Sequence, residues 1–550
     1  MQKNMTENTE TPAVPFRSQL TLRGMLIGAI GSVILTTSSM YVALTLGALP
    51  WPIIFVAMVS MFSLKLLGHS NLNEMNVTHT AMSAGAMVAG GIAFTIPGLW
   101  MLNPEATISA GYLLLIAVGG VILGLIFTAL LRKYFIVTRK LSYPMGIAAA
   151  ETLQVGDAGG KKSRLLFSSM GFAGLFTVCR DALAWIPNML FSNVALPGIT
   201  FGIWASPMMI SVGYILGPLA IYAWFGGALI GDFGVVLAGP ALGLWDAATA
   251  ANIKTSLGIG VMVGTGVGII CKSILPQAKE IFSPMFKRNG AGDAPVSLRW
   301  APWAMLLLVV AFTLIADIKL QASIIIIIGA WLATSMSALI VGQSGINPME
   351  IFGVIILLLA RLAGEDGMVQ MFAIAAIIAV ACGLTGDVMN DFKAGFLLKS
   401  SPKAQWCAEA IGALIGAVVS ALVLLLLVKA YGTGAFGLEG RFVAPQAGVV
   451  SAMVGGIPHQ VSFWIGLAAG ALLYLCNVPV MTLGLGIYLP FYLSLTVFLG
   501  GLCKLVLDKV CPRLDQNGNG LILASGLLGG EAVVGVIIAL VQVAGGLAAL

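Results

Sequence analysis

QWCAEAIGALIGAVVSALVLLLLVK, running from Gln405 to Lys429, reads as a helix that crosses a lipid bilayer. No charge occurs between Glu409 and Lys429, and about 20 consecutive apolar residues at ~1.5 Å each match the hydrocarbon thickness. Comparable stretches recur from Leu22 to the C-terminus. Hydrophobic residues make up 59% of the 550, and charged residues 9%, whereas soluble domains carry about a quarter charged residues. A soluble core cannot be this large relative to its surface, so the fold class is an all-α integral membrane protein.

Counting outward gives sixteen expected transmembrane helices, among them 165–190, 206–225, 227–244, 368–386, 448–476 and 480–503. The apolar piece from Tyr143 to Val155 is too short to cross and reads as re-entrant or interfacial. The first apolar stretch is too long for a signal-peptide core and lacks a small-residue cleavage site, so it is expected to remain as the first span. The chain then divides into a cytoplasmic tail (1–22), a first membrane repeat (23–275), a cytoplasmic linker (276–300) and a second repeat (301–550). With the N-terminus inside, Arg132, Lys133, Arg139, Lys140, Lys161, Lys162, Lys393, Lys399 and Lys403 fall on the cytoplasmic side, as the positive-inside rule asks. Lys504, Lys509 and Arg513 fall outside in that count and break the rule.

The halves resemble each other. Gly68 to Asn76 aligns with Gly342 to Glu350 at an offset of 274, and Tyr214, Leu219, Gly226 and Gly227 fall on Tyr488, Leu493, Gly500 and Gly501 at the same offset. Eight spans per half predict two parallel eight-helix repeats of like orientation, with interrupted helices at corresponding places. Such interruptions point to a binding site, because helix ends and unpaired backbone can meet a solute. The candidates there are Asn73, Glu74, Asn76, Asn347 and Glu350, with Asn73 and Asn347 as helix N-caps, joined by Tyr143 and Tyr488.

Ionisable residues inside apolar stretches are candidates for moving protons. Asp387, Asp391 and Lys393 end the span at 368–386, where they are expected to meet a cytoplasmic vestibule or pair with one another. Glu151, Glu409 and Glu531 interrupt other apolar stretches. Arg180 and Asp181 are neighbours that should not face each other on a helix, and they read as interfacial.

Other chemistry finds little support. The seven cysteines are scattered, His69, His79 and His459 lack ligand spacing, and no metal or cofactor site is expected. The loop from Asp515 to Gly520 begins like a calcium loop, but its twelfth position is Gly526 where a bidentate Glu is needed. No phosphate loop, HExxH or GxSxG motif occurs, which argues against nucleotide hydrolysis and enzyme chemistry. Two diverged halves supply no repeated selectivity ring for a channel. The net charge of +6 belongs to the membrane topology and not to nucleic acid.

The run Gly386-Asp387-Val388-Met389-Asn390-Asp391-Phe392-Lys393-Ala394-Gly395-Phe396, followed by Ser401-Pro402-Lys403, resembles the signature of the oligopeptide transporter family, which includes the yellow stripe-like metal-chelate transporters. Leu141 to Gly146, Leu489 to Tyr492 and Ala524 to Leu527 resemble further family segments. The Asn-Pro-Gly and Lys-Ile-Pro-Pro-Arg motifs of the eukaryotic peptide-transporting branch are absent, and Gly529-Gly530-Glu531 stands where the yellow stripe-like pattern has Gly-Asp-Gly. The resemblance implies a secondary transporter in the bacterial inner membrane, importing a peptide or a metal chelate with protons. It leaves a homodimer open.

Overall fold

A computed structural model describes residues 15–46, 53–68, 70–155, 160–269, 271–272, 275–277, 295–344, 347–511 and 518–548. Most of the expected linker, His69 and Arg513 lie outside the described residues, as do the side chains of Glu151, Lys161 and Lys162. Eight helices among the described residues are long and apolar enough to cross a membrane.

The first nine principal helices are α1 (Leu22–Leu46), α2 (Ile53–Leu66), α3 (Leu72–Ala93), α4 (Ala110–Arg132), α5 (Pro144–Val155), α6 (Gly160–Thr177), α7 (Pro207–Leu216), α8 (Pro218–Ala228) and α9 (Ala247–Ile269). After α10 (Ala301–Leu314) come α11 (Leu320–Ser344), α12 (Met349–Leu362), α13 (Met368–Leu398), α14 (Pro402–Tyr431) and α15 (Pro445–Gly455). The last four are α16 (Gln460–Leu475), α17 (Val480–Tyr488), α18 (Phe491–Val510) and α19 (Asn519–Ala548).

Several expected spans are broken, each for a local reason. Gly217 takes φ 82° ahead of Pro218, so the break falls there and not at Gly226. Pro490 separates α17 from α18, and Gly456 with φ 110° ends α15 inside the expected span 448–476. The helix expected at 165–190 leaves α geometry after Thr177 for wide π-type turns over Val178–Ala182. Two short hairpins follow, Met189–Leu190 with Ile203–Trp204 and Ala195–Leu196 with Ile199–Thr200.

Glycines let backbones touch, and they report which way neighbouring helices run. Gly24 abuts Thr78 and Gly31 abuts Met82, so α1 and α3 are parallel. α13 runs against α3: Ser400 beyond its end meets Asn73, while Gly98 beyond α3 abuts Phe372 near the start of α13. α11 runs with α13, Lys319 beside Glu365 at one end and Ser337 beside Cys382 further along. α4 also runs with α13, through Gly120 on Val380 and Gly124 on Leu384. α14 runs with α3, through Gly412 on Ala81 and Gly416 on Gly85.

Helices ten places apart in this order therefore run in opposite directions in the pairs α1/α11, α3/α13 and α4/α14. α8 and α18 do so as well, with Ile221 against Gly501 and Phe233 against Phe491. Lengths recur with the same spacing. α1 and α11 each have 25 residues, α2 and α12 each have 14, and α5 and α15 have 12 and 11. The like orientation expected from an even span count is contradicted by these directions. The count failed because broken helices were read as crossings and α10 stands apart from the recurrence.

The offset of 274 also holds only locally. Leu72 stands against Met368, an offset of 296, whereas Pro207 stands against Val480, an offset of 273. The hairpin segment between α6 and α7 accounts for the difference. Asn347, ahead of α12, is therefore not the counterpart of Asn73 in α3.

Basic residues gather where α1, α3 and α14 begin and α4 and α13 end: Arg23, Arg132, Lys133, Arg139, Lys140, Lys399 and Lys403. These ends share one face, the basic one, which the positive-inside rule associates with the cytoplasm. α6 leads away from it, since Asp181 just beyond α6 lies 3.5 Å from Arg441, which follows the far end of α14. α19 runs with α6, Ser169 abutting Gly526 and Gly174 abutting Val534. Lys504 and Lys509, at the end of α18 just ahead of α19, thus join the basic face. Their expected place outside is corrected.

Candidate functional site

α13 does not end at Gly386. It continues to Leu398 and closes on Lys399 in the left-handed region, φ 57°. The acidic motif therefore lies within a buried helix and not in a vestibule loop, with Asn390 and Asp391 4% and 2% exposed. The segment can stay helical because its polar groups find partners on neighbouring elements.

On one side, α13 faces the first half of α3. Ser400 Oγ donates to Asn73 Oδ1 at 3.1 Å, and Asn76 Nδ2 donates to Ser400 Oγ at 3.2 Å. Ser83 Oγ donates to Asp391 Oδ2. His79 Nδ1 lies 3.5 Å from Asp391 Oδ1, and neither ring nitrogen has a hydrogen-bond partner among the described residues. Gln405 Nε2, in the first turn of α14, donates to Thr80 Oγ1 at 3.3 Å and to Asp391 O at 2.8 Å. One turn on, Glu409 is fully buried.

On the other side, one turn earlier in α13, Asn347 Nδ2 donates to Asp387 Oδ2 at 2.7 Å, and Ser337 Oγ donates to Asn347 Oδ1 at 2.8 Å. Glu350 is buried in the first turn of α12. Below both groups, the loop ahead of α5 is clamped to α11 and α13. Tyr143, at φ 46°, donates its backbone N–H to Gly342 O at 3.0 Å and its hydroxyl to Ala338 O at 2.9 Å. Gly146 abuts the Asn390 carbonyl, where a side chain would not fit. Asn73 thus meets the chain just beyond the end of α13, whereas Asn347 meets Asp387 well inside it.

The chain matches the family described as "OPT oligopeptide transporter protein" over residues 19–542. It belongs to the oligopeptide transporter family. A protein of Haemophilus influenzae named "Putative oligopeptide transporter" is 26% identical over 91% of this chain and 92% of its own length. "Metal-nicotianamine transporter YSL2" of Arabidopsis thaliana is 24% identical over 79% of this chain and 77% of its own. The protein is a multi-pass membrane transporter and not an enzyme.

Several details of this transporter differ from the sequence expectation. Asn71, not Asn73, caps α3, accepting from the Glu74 N–H at 2.8 Å. That frees the Asn73 amide to reach Ser400. Asn347 caps nothing, because Pro348 intervenes before α12 and its amide is taken by Asp387. Glu74 ties α3 to α1 through Arg23 at 2.8 and 2.9 Å. Lys393 does not neutralise Asp391: it reaches the Leu141 carbonyl at 2.8 Å on the side facing the α5 loop. His79, set aside in the sequence as a residue without ligand spacing, is the basic group beside Asp391.

Glu531 and Tyr488 lie elsewhere. Glu531 accepts from Arg180 Nη1 at 2.8 Å, from Ser206 Oγ at 2.8 and 2.9 Å and from the Met208 N–H at 2.8 Å. Arg180 also grips Asp181 at 2.8 and 2.9 Å. The adjacent side chains meet within this stretch of π-type turns, and both are buried, 2% and 6% exposed. Tyr488 is buried at the end of α17 and lines a cavity of about 640 Å³ in the other half of the molecule.

Proposed function

We propose that this transporter is a symporter of the inner membrane, importing an oligopeptide or a related small polar solute with protons through His79, Asp391 and Glu409. The observation that carries the reading is the 3.5 Å approach of His79 to Asp391 between α3 and α13, with the buried Glu409 nearby on α14; among the described residues Asp391 has no lysine or arginine partner. Carrying charge in a bilayer interior is costly unless a partner, water or solute arrives. A group in that position can exchange a proton when access changes sides. Asn73, Asn76, Asn347, Asp387 and Glu350 supply the polar contacts nearby, and Lys393 anchors the α5 loop. Glu531 has a full set of donors, so we assign it to packing.

Opposed directions of helices ten places apart support an arrangement as two inverted repeats, α1–α9 and α11–α19. Such repeats give alternating access by exchanging conformations around a shared axis. The metal-nicotianamine transporters among the relatives favour a second reading of the cargo, a metal held by an amino-carboxylate chelator.

The test uses proteoliposomes with an imposed pH gradient and Asp391→Asn and Glu409→Gln examined separately. Loss of accumulation with counterflow exchange intact is expected for at least one. If both variants concentrate solute to the wild-type level, neither carries the coupling proton.

A further inference from the structure

The cavity beside Tyr488 holds a buried ion pair that the coupling site does not use. Asp232 lies in a stretch of π-type turns, Leu229–Ala238, that continues α8. Widened turns of this kind recur at functional sites because they turn a side chain out of register. Lys254 Nζ, on α9, donates to Asp232 Oδ1 at 2.6 Å and to Leu489 O at 3.2 Å. That carbonyl is available because Leu489, ahead of Pro490, is held extended at ψ 152° and so leaves the helix ladder. Asp232 is 3% exposed, and its second oxygen, Oδ2, has no partner among the described residues.

The surroundings have the form of a binding site. Thr200 from the hairpins, Tyr488, Phe491 and Leu438 line the cavity with the ion pair. Its about 640 Å³ falls within the range of small-molecule sites, which combine mostly apolar walls with a few placed polar groups. Leu438 follows the far end of α14, whose 30 residues span about 45 Å from the Gln405 end. The cavity therefore lies toward the face opposite the basic one.

We infer that this cavity is an outward-facing subsite for a zwitterionic solute, with Asp232 Oδ2 receiving its ammonium group and Lys254 Nζ meeting its carboxylate. The pair is neutral overall, so a solute bearing both charges is matched where a net anion or cation leaves one charge uncompensated. Tyr488 and Phe491 offer apolar surface to the solute between its charged ends. The inference rests on the transporter reading and names its outer binding step.

The test measures binding to the purified full chain in detergent, without a gradient. The probes are dialanine, N-acetyl-dialanine, dialanine amide and the iron complex of nicotianamine. Dialanine is expected to bind, blocking either of its ends is expected to weaken binding, and the iron complex, whose amine and carboxylate groups are occupied by the metal, is expected to bind no better than the blocked peptides. Asp232→Asn and Lys254→Met should each raise the dissociation constant of the bound probe at least tenfold, about the loss of one charge-assisted hydrogen bond. Lys254→Arg and an unchanged elution profile control for folding. Whichever of Asp391→Asn and Glu409→Gln loses accumulation should still bind the probe as the wild type does, which separates failure of this inference from failure of the coupling proposal. Wild-type affinity in well-folded Asp232→Asn and Lys254→Met, or no binding of any probe to the wild type, overturns the subsite.

Discussion

Arg180→Met should destabilise the transporter by about 3 kcal/mol, near the lower end of the range for breaking a buried ion pair by removing one partner. Arg180 and Glu531 side chains are each 2% exposed. The substitution deletes three charge-assisted hydrogen bonds, one to Glu531 and two to Asp181, and a fourth bond to the Ala205 carbonyl at 2.6 Å. The two carboxylates are not stranded completely. Glu531 keeps Ser206 and the Met208 N–H, and Asp181 keeps Arg441 at 3.5 Å. That residual ligation is the reason for choosing the lower end.

Glu531→Gln should cost less, about 1–2 kcal/mol, because Arg180 retains Asp181 and the amide can still accept hydrogen bonds. Combining Arg180→Met with Glu531→Leu removes both ends of one pair, so the double loss should fall short of the sum by about 1–3 kcal/mol. Denaturant titration in mixed micelles measures all of these. Additive single effects, or an Arg180→Met variant within about 0.5 kcal/mol of wild type, would refute the argument that the pair acts as a buried unit. Glu531→Gln should also keep gradient-driven accumulation in proteoliposomes, as a packing residue must.

Gly412→Leu places a side chain against the Ala81 backbone and should cost at least 1–3 kcal/mol, roughly the overpacking range, whereas Gly434→Ala points into open space and should stay within about 0.5 kcal/mol; the same titration compares them. Asn347→Ala removes the 2.7 Å donor to Asp387 and should cost about 1–3 kcal/mol, with Asn347→Gln failing to restore it if the geometry is specific. His79→Asn should change the pH profile of uptake while leaving counterflow in place, and an unchanged profile would remove His79 from the coupling group.

Membrane class and many helix positions were legible because a bilayer imposes a length and a polarity on each span. Gln405 to Lys429 lies wholly inside α14, and the short apolar piece after Tyr143 became α5. Breaks were harder to read. A Gly-Pro pair at 217–218 or a Pro at 490 interrupts the backbone without lowering hydrophobicity, so an apolar window passes straight over it. Helix direction, and with it the relation between the halves, depends on counting crossings correctly. Reading broken helices as crossings therefore carries straight into the expected orientation of the halves.

The site was legible where its residues sit close together in sequence and obscure where partners are far apart. Asp387 and Asp391 announced themselves as charged groups at the end of one apolar stretch. Their partners did not. Asn347 was singled out as a cap, although the same small amide serves equally well as a donor to Asp387. His79 lies 3.5 Å from an aspartate 312 residues away in the chain, and only the antiparallel contact of α3 with α13 makes them neighbours. A lone histidine in a Thr- and Ala-rich helix carries no spacing signal of its own. A tetrahedral or i,i+4 pattern is what a sequence search rewards, and the pair proposed here for proton exchange needs neither: it needs one basic and one acidic group brought together by tertiary packing.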